Sequence, residues 1–133
     1  MDNNSIIIKK YSQVENIKDI SINICNIIGD VCNVDIMISD REKIIACNSN
    51  LKNLLNTELA LNHKRLIDNR ESYISTKIEN MYNINNFFTI VPIITTNDCS
   101  GLIFIITNEN TDVNLKYARI VQKLIVQKID VDS

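Results

Sequence analysis

The chain has 133 residues, 45% of them hydrophobic and 23% charged, with two Gly and one Pro. That is the length of one domain with enough apolar surface for its own core, and it excludes a disordered or loop-rich chain. Lys and Arg number 14 against 16 Asp and Glu, a net charge of −2. Without a cationic surplus to neutralise phosphates, nucleic-acid binding by this chain alone is not expected. No apolar run approaches the roughly 18–20 residues of a membrane span and no signal peptide opens the chain. A soluble, cytoplasmic domain without membrane contact is expected. Cys25, Cys32, Cys47 and Cys99 form no CxxC pair and have no His at metal-ligand spacing, so four free thiols, mostly buried, are expected.

Taken in order, residues 6–11 (Ile-Ile-Ile-Lys-Lys-Tyr) read as a short strand. Ser12 then opens a helix, with Glu15 completing a capping box. Val14, Ile17, Ile20, Ile24, Ile27, Ile28 and Val31 recur at helical steps, and Gly29 is the expected C-cap. Val34–Ser39 and Lys43–Asn48 are two strands joined by Asp40-Arg41-Glu42. From Asn50 to Ser72 the leucine spacing is helical, with Asn56 or Thr57 as the cap of its second piece. Tyr73–Ile78 reads as a short edge strand and Asn80–Asn86 as a loop.

The most apolar stretch is Phe87–Thr107, two β-branched and aromatic runs around Thr95–Ser100. A strand apolar on consecutive residues is covered on both faces, so this hairpin should lie centrally in a sheet. Pro92 has no N–H to donate and is expected at a bulge or strand break, with Asp98–Gly101 as the tight connection. A helix from Asp112 to Ile129 closes the chain, with Leu115, Ala118, Val121, Leu124, Ile125 and Ile129 on its apolar face. The predicted fold is α+β, a GAF-like or PAS-like module. A mainly antiparallel five- or six-stranded sheet carries the N- and C-terminal helices on one face and a helix/loop segment on the other.

Several of these residues, taken together, resemble a known family. Ile-Lys-Lys-Tyr-Ser (8–12) leads into an amphipathic helix, Asp40-Arg41 joins two strands, and Asp68-Asn69-Arg70 lies near a helix end. Val91-Pro92-Ile93 is followed by Asp98 and Gly101 before an apolar strand. Their order resembles the C-terminal GAF domains of the stage V sporulation protein T family, AbrB-type transcription regulators of spore-forming bacteria, over nearly the whole chain. The resemblance implies that residues 1–11 are the last strand of a swapped-hairpin DNA-binding domain and that 12–133 form a sensory and dimerisation domain. DNA would then be bound only by the full-length regulator. An unidentified small-molecule effector and a homodimer formed through the terminal helices are implied as partners.

A GAF-type pocket between sheet and helical cover would use Ile36, Ile38, Ala46, Asn48, Leu66, Arg70, Thr89 and Val91. Arg70 is the sharpest of these, because Leu59, His63, Leu66 and Arg70 share one helical face and a guanidinium fork suits a carboxylate or phosphate. It is weighed against an Arg70 that simply extends into solvent, and His63-Lys64-Arg65 against a solvated face. The dimer interface would use Val14, Ile17, Ile20, Ile24, Leu115, Val121 and Ile125. No nucleophile motif, phosphate loop or paired carboxylates occur, so no catalytic residue, metal or cofactor is expected. Two alternatives remain: a purely structural oligomerisation domain, and a cysteine-dependent GAF-type methionine sulfoxide reductase, for which Cys47 and Cys99 are the candidates.

Overall fold

The central hairpin forms as its composition dictates. The computed structural model describes the backbone of residues 2–96 and 98–132 and the side chains of residues 17–96 and 98–129. In chain order the elements are α1 (Asp2–Cys32), β1 (Asp35–Ser39), β2 (Ile44–Cys47), a 3-10 segment (Ser49–Leu54) and α2 (Leu61–Asn69). Then follow β3 (Tyr73–Ile74), β4 (Glu79–Met81), β5 (Ile84–Ile94), β6 (Cys99–Thr107) and α3 (Asp112–Asp132). The strands make one six-stranded antiparallel sheet in the order β2-β1-β6-β5-β3, with β4 paired to the first part of β5.

Strand alternation divides the core in two. On one face, Ile36, Ile38, Val91, Ile93, Ile103 and Ile105 pack against Cys25 of α1 and Ala118, Val121 and Ile125 of α3. On the other, Met37, Phe88, Ile90 and Phe104 pack against Leu51, Leu59 and Ile67 of the 3-10 segment, the following loop and α2. The face under the terminal helices is called proximal below, the other distal. Phe88 and Phe104 are wholly buried, and each buried aromatic side chain of this kind contributes about 2–3 kcal/mol of transfer free energy.

Several local expectations give way to the structure. Residues 6–11 are helical, continuous with α1, where a strand was expected. Consecutive Ile residues cost a helix only a few tenths of a kcal/mol each. Ser12 and Glu15 therefore lie inside the helix. Gly29 is not the cap either, since α1 ends at Cys32 and Asn33 takes the left-handed conformation (φ 55°) that terminates it. Gly29 instead lets α1 approach the sheet, because a Cβ there would stand 2.8 Å from the Asn48 Cβ.

Residues 80–86, expected as a loop, belong to a hairpin. Met81 pairs with Ile84 across Tyr82 and Asn83, whose positive φ angles (54° and 63°) are those of a type I′ turn. The expected edge strand at 73–78 shrinks to Tyr73–Ile74. In β5, Pro92 stays in register opposite Leu102, and the irregularity falls one step later, between Ile93 and Ile94. Phe88 exchanges bonds with Ser75 on the β3 side, so by alternation Pro92 also turns its backbone away from β6. Its missing N–H thus faces the sheet edge, and its carbonyl accepts a 2.7 Å bond from Gln122 Nε2 of α3. The tight connection is 95–98, closed by Thr95 N–H to Asp98 O (2.8 Å), while Gly101 lies within β6.

Candidate functional site

The distal cover holds a buried histidine and a phenol against the sheet. The N-cap of α2 is Ala60, not Asn56 or Thr57, and no side chain on the helix itself caps it. The Ala60 N–H is satisfied from a distance, by the Tyr82 hydroxyl at 3.0 Å. The same oxygen lies 2.6 Å from His63 Nδ1. His63 is 2% exposed, with its ring edge-on to Phe104 at 5.2 Å. Burial pulls its pKa down to about 4, against the opposing charge of Glu79, so the ring is neutral at pH 7. The proton assignment that serves all three groups has the phenol O–H donating to Nδ1 and the ring proton on Nε2. Among the described residues, Nε2 has no hydrogen-bond partner. Glu79 is itself engaged, accepting from the Tyr73 hydroxyl at 2.8 Å.

The residues expected to line a pocket are split between the two faces. Ile36, Ile38, Ala46 and Val91 belong to the core beneath the terminal helices. Thr89, paired with Ile105, shares their side of the sheet. Only Leu66 joins the distal cluster. Asn48 is buried, but its amide is used structurally: Oδ1 accepts from Ile36 N–H at 2.9 Å and Nδ2 donates to Asp35 Oδ1 at 3.0 Å. Asn48→Ala leaves the Ile36 N–H unpaired in the core and should lower the unfolding free energy by about 1–3 kcal/mol in a urea titration. Arg70 is exposed at the end of α2 in the left-handed conformation (φ 55°, ψ 43°). Its charge reaches Cys99, as does that of Arg41.

Of the expected interface residues, Ile24, Val121 and Ile125 are buried within the chain's own core. Ile17, Ile20 and Leu115 are half-buried against it, and Val14 lies outside the described side chains. Among the described side chains, the exposed large apolar residues on these helices are others: Ile22, Ile27 and Val31 on α1, and Val113, Ile120 and Leu124 on α3. The helical spacing located the stripe but not which of its flanks meets the sheet. A separate cleft of about 580 Å3 opens where α1 meets the β1–β2 and β5–β6 turns, with Ile17 and Ile45 as its apolar lining. At its rim Arg41 pairs with Asp98 at 2.8 Å, an exposed ion pair contributing about 0–1 kcal/mol.

The thiols are poorly placed for chemistry. Cys25 and Cys99 are buried, and burial pushes Cys25, Cys47 and Cys99 all upward in pKa. Alkylation of these three at pH 7 should run at least about tenfold slower than that of a free thiol, followed by mass spectrometry. No group of three or more His, Cys, Asp or Glu among the described residues could hold a metal ion. No helix of the described residues is long and apolar enough to cross a membrane.

An antiparallel sheet with terminal helices on one face and a small mixed cover on the other is the GAF arrangement. The second GAF domain of DevS from Mycobacterium smegmatis superposes with a TM-score of 0.68, at 6% identity, over 85% of this chain and 92% of that one. The GAF domain of an Acinetobacter phosphoenolpyruvate-protein phosphotransferase gives 0.64, at 13% identity, over 96% and 93%. The cofactor-binding GAF domain of the nutrient sensor CodY from Clostridium difficile gives 0.61, at 12% identity, over 92% and 97%. The fold is that of a GAF domain. Residues 16–130 match the family described as stage V sporulation protein T C-terminal, transcription factor, and the chain belongs to that family. Stage V sporulation protein T of Bacillus subtilis (strain 168) is 26% identical over 113 residues, which cover 80% of this chain and 64% of the relative. The chain thus spans just under two thirds of that relative's length. The matched family is one of transcription-factor C-terminal domains.

Proposed function

We propose that this domain senses a small-molecule effector beneath its distal cover and passes the signal through its terminal helices to a DNA-binding domain in the full-length regulator. The observation carrying this reading is the asymmetry of the two sheet faces. The proximal face is sealed by apolar contacts with two long helices, whereas the distal face has a thin cover containing a buried neutral histidine and a phenol. In β6 the two sides are adjacent in sequence: Phe104 touches His63, while Ile103 and Ile105 lie under α1 and α3. The cleft described above lies on the α1 side of the sheet, and in this reading the effector enters by displacing the distal cover. Its differential affinity for the open form then sets the size of the response.

A thermal-shift and calorimetric screen of amino acids, nucleotides and short carboxylic acids tests the proposal. A true effector at about 100 times its Kd stabilises the domain by about 2.7 kcal/mol. Failure of every class to shift the melting temperature would sink sensing by this chain. The domain is non-catalytic and cytoplasmic in this reading, consistent with its unactivated thiols.

The second reading is a purely structural dimerisation domain, favoured by the exposed Ile22, Ile27, Val31, Ile120 and Leu124 on the terminal helices. In both readings the chain is a homodimer through those helices. Ile120→Glu with Leu124→Glu should convert it to a monomer by light scattering, and a fully dimeric double variant would rule this face out as the interface.

A further inference from the structure

We propose that the Tyr82 hydroxyl is the latch of the distal cover: one oxygen pins the start of α2 to the β4–β5 hairpin, and the cover opens by its release. This rests on the reading that an effector acts beneath this cover, and it specifies how access is regulated.

Three observations place the latch at that atom. First, the hydroxyl is the point at which two separate needs of α2 converge. It accepts the Ala60 N–H at 3.0 Å, where the helix has no cap of its own, and lies 2.6 Å from His63 Nδ1 one turn further on. Losing this one contact therefore uncaps the helix and frees its buried histidine together. Second, Tyr82 holds a positive φ of 54° in a two-residue turn. Asn, Asp or Gly occupies such positions at less cost, and an aromatic residue persists there only where surrounding contacts hold it. The hydroxyl and the ring, tilted on His63 at 5.4 Å and edge-on to Phe104 at 6.1 Å, are those contacts. Third, the closed state is incompletely satisfied, because His63 Nε2 is buried without a partner. Opening hydrates that nitrogen, which offsets part of the cost of breaking the latch.

Local opening of α2 should therefore be easier than opening of the sheet below it. Native-state amide exchange on the ligand-free chain reads this directly. Wild-type amides of 63–67 are expected to exchange at least about tenfold faster than those of β1 and β6. Tyr82→Phe keeps the ring and removes only the oxygen. It should speed exchange in 63–67 by about a further tenfold while β1 and β6 stay unchanged. His63→Leu leaves the Ala60 bond in place and removes both the Nδ1 acceptor and the unpartnered Nε2, two opposing effects. It should therefore change exchange in the same amides by less than Tyr82→Phe does. The double variant should exchange no faster than Tyr82→Phe alone, because both changes act through one oxygen.

Multiplicative effects of the two substitutions, an unchanged rate in Tyr82→Phe, or a rise shared by the whole sheet would each overturn the latch. If Tyr82→Phe does not fold, the wild-type rates and His63→Leu still decide the matter. Equal protection of α2 and the sheet in the wild type refutes it. No ligand enters the experiment, so its failure is distinct from failure of the effector screen.

Discussion

Gly101→Ala should be among the most destabilising single substitutions in this domain. A Cβ at residue 101 would stand 1.9 Å from the Ser39 carbonyl oxygen, 2.8 Å from its carbon and 3.0 Å from Asp40 Cα. All three atoms are backbone, so no side chain can swing aside. β1 has to move off β6, and the stretch that moves carries other bonds. Leu102 N–H donates to Ser39 Oγ at 3.1 Å, and Arg41 just beyond holds Asp98. Over-packing that displaces backbone costs about 3 kcal/mol at the upper end of the usual range. With a urea m-value of about 1–3 kcal/mol/M, the unfolding midpoint should fall by at least about 1 M. A midpoint within experimental error of wild type would mean that β1 yields freely, which contradicts the packed centre described above.

The second large effect is a pH dependence carried by His63. Its folded pKa is about 4, lowered chiefly by burial and raised slightly by Glu79, against an ordinary value of 6.5. Between those two pH values the unfolded chain takes up a proton that the folded chain refuses, so acid favours unfolding. The histidine's contribution is fully present above pH 6.5 and is lost as pH falls toward 4. The difference corresponds to about 3 kcal/mol. Urea titrations of wild type and His63→Leu at pH 7.5, 5.5 and 4.5 test it, because carboxylate effects common to both proteins cancel in the comparison. Wild type should lose stability relative to the variant as the pH falls. Parallel curves would show that His63 stays hydrated in the folded state.

These two residues also mark how far the sequence could be read. The central hairpin, the first hairpin and both terminal helices follow from hydrophobic period alone, and the two-sided burial of β5 and β6 follows from apolar residues on consecutive positions. That same continuity hid which face looks where. A strand with Ile on both sides gives no sign of which Ile meets a terminal helix, so Ile36, Ile38, Ala46 and Val91 could not be told apart from Met37, Phe88 and Phe104. The β4–β5 hairpin was illegible because its turn lacks Gly and carries Tyr82 in a conformation that local propensity disfavours.

His63 looked like part of a basic, solvated run with Lys64 and Arg65. Its partner is 19 residues away and becomes one only when the hairpin folds back over α2. The separation of His63 from Leu59 by four residues and from Ile67 by another four, both buried, was the available signal.

The bond from Gln122 to the Pro92 carbonyl constrains how α3 can move. A roll of the helix by a single residue, about 100°, carries that amide away from the Pro92 carbonyl. Sliding along the sheet does the same within one hydrogen-bond length. That bond, worth about 0.5–1.5 kcal/mol, favours tilts pivoting near Pro92 over rolling or sliding of α3. A signal leaving the sheet along the terminal helices would then be a change of angle at the helix ends, not a change of helix register.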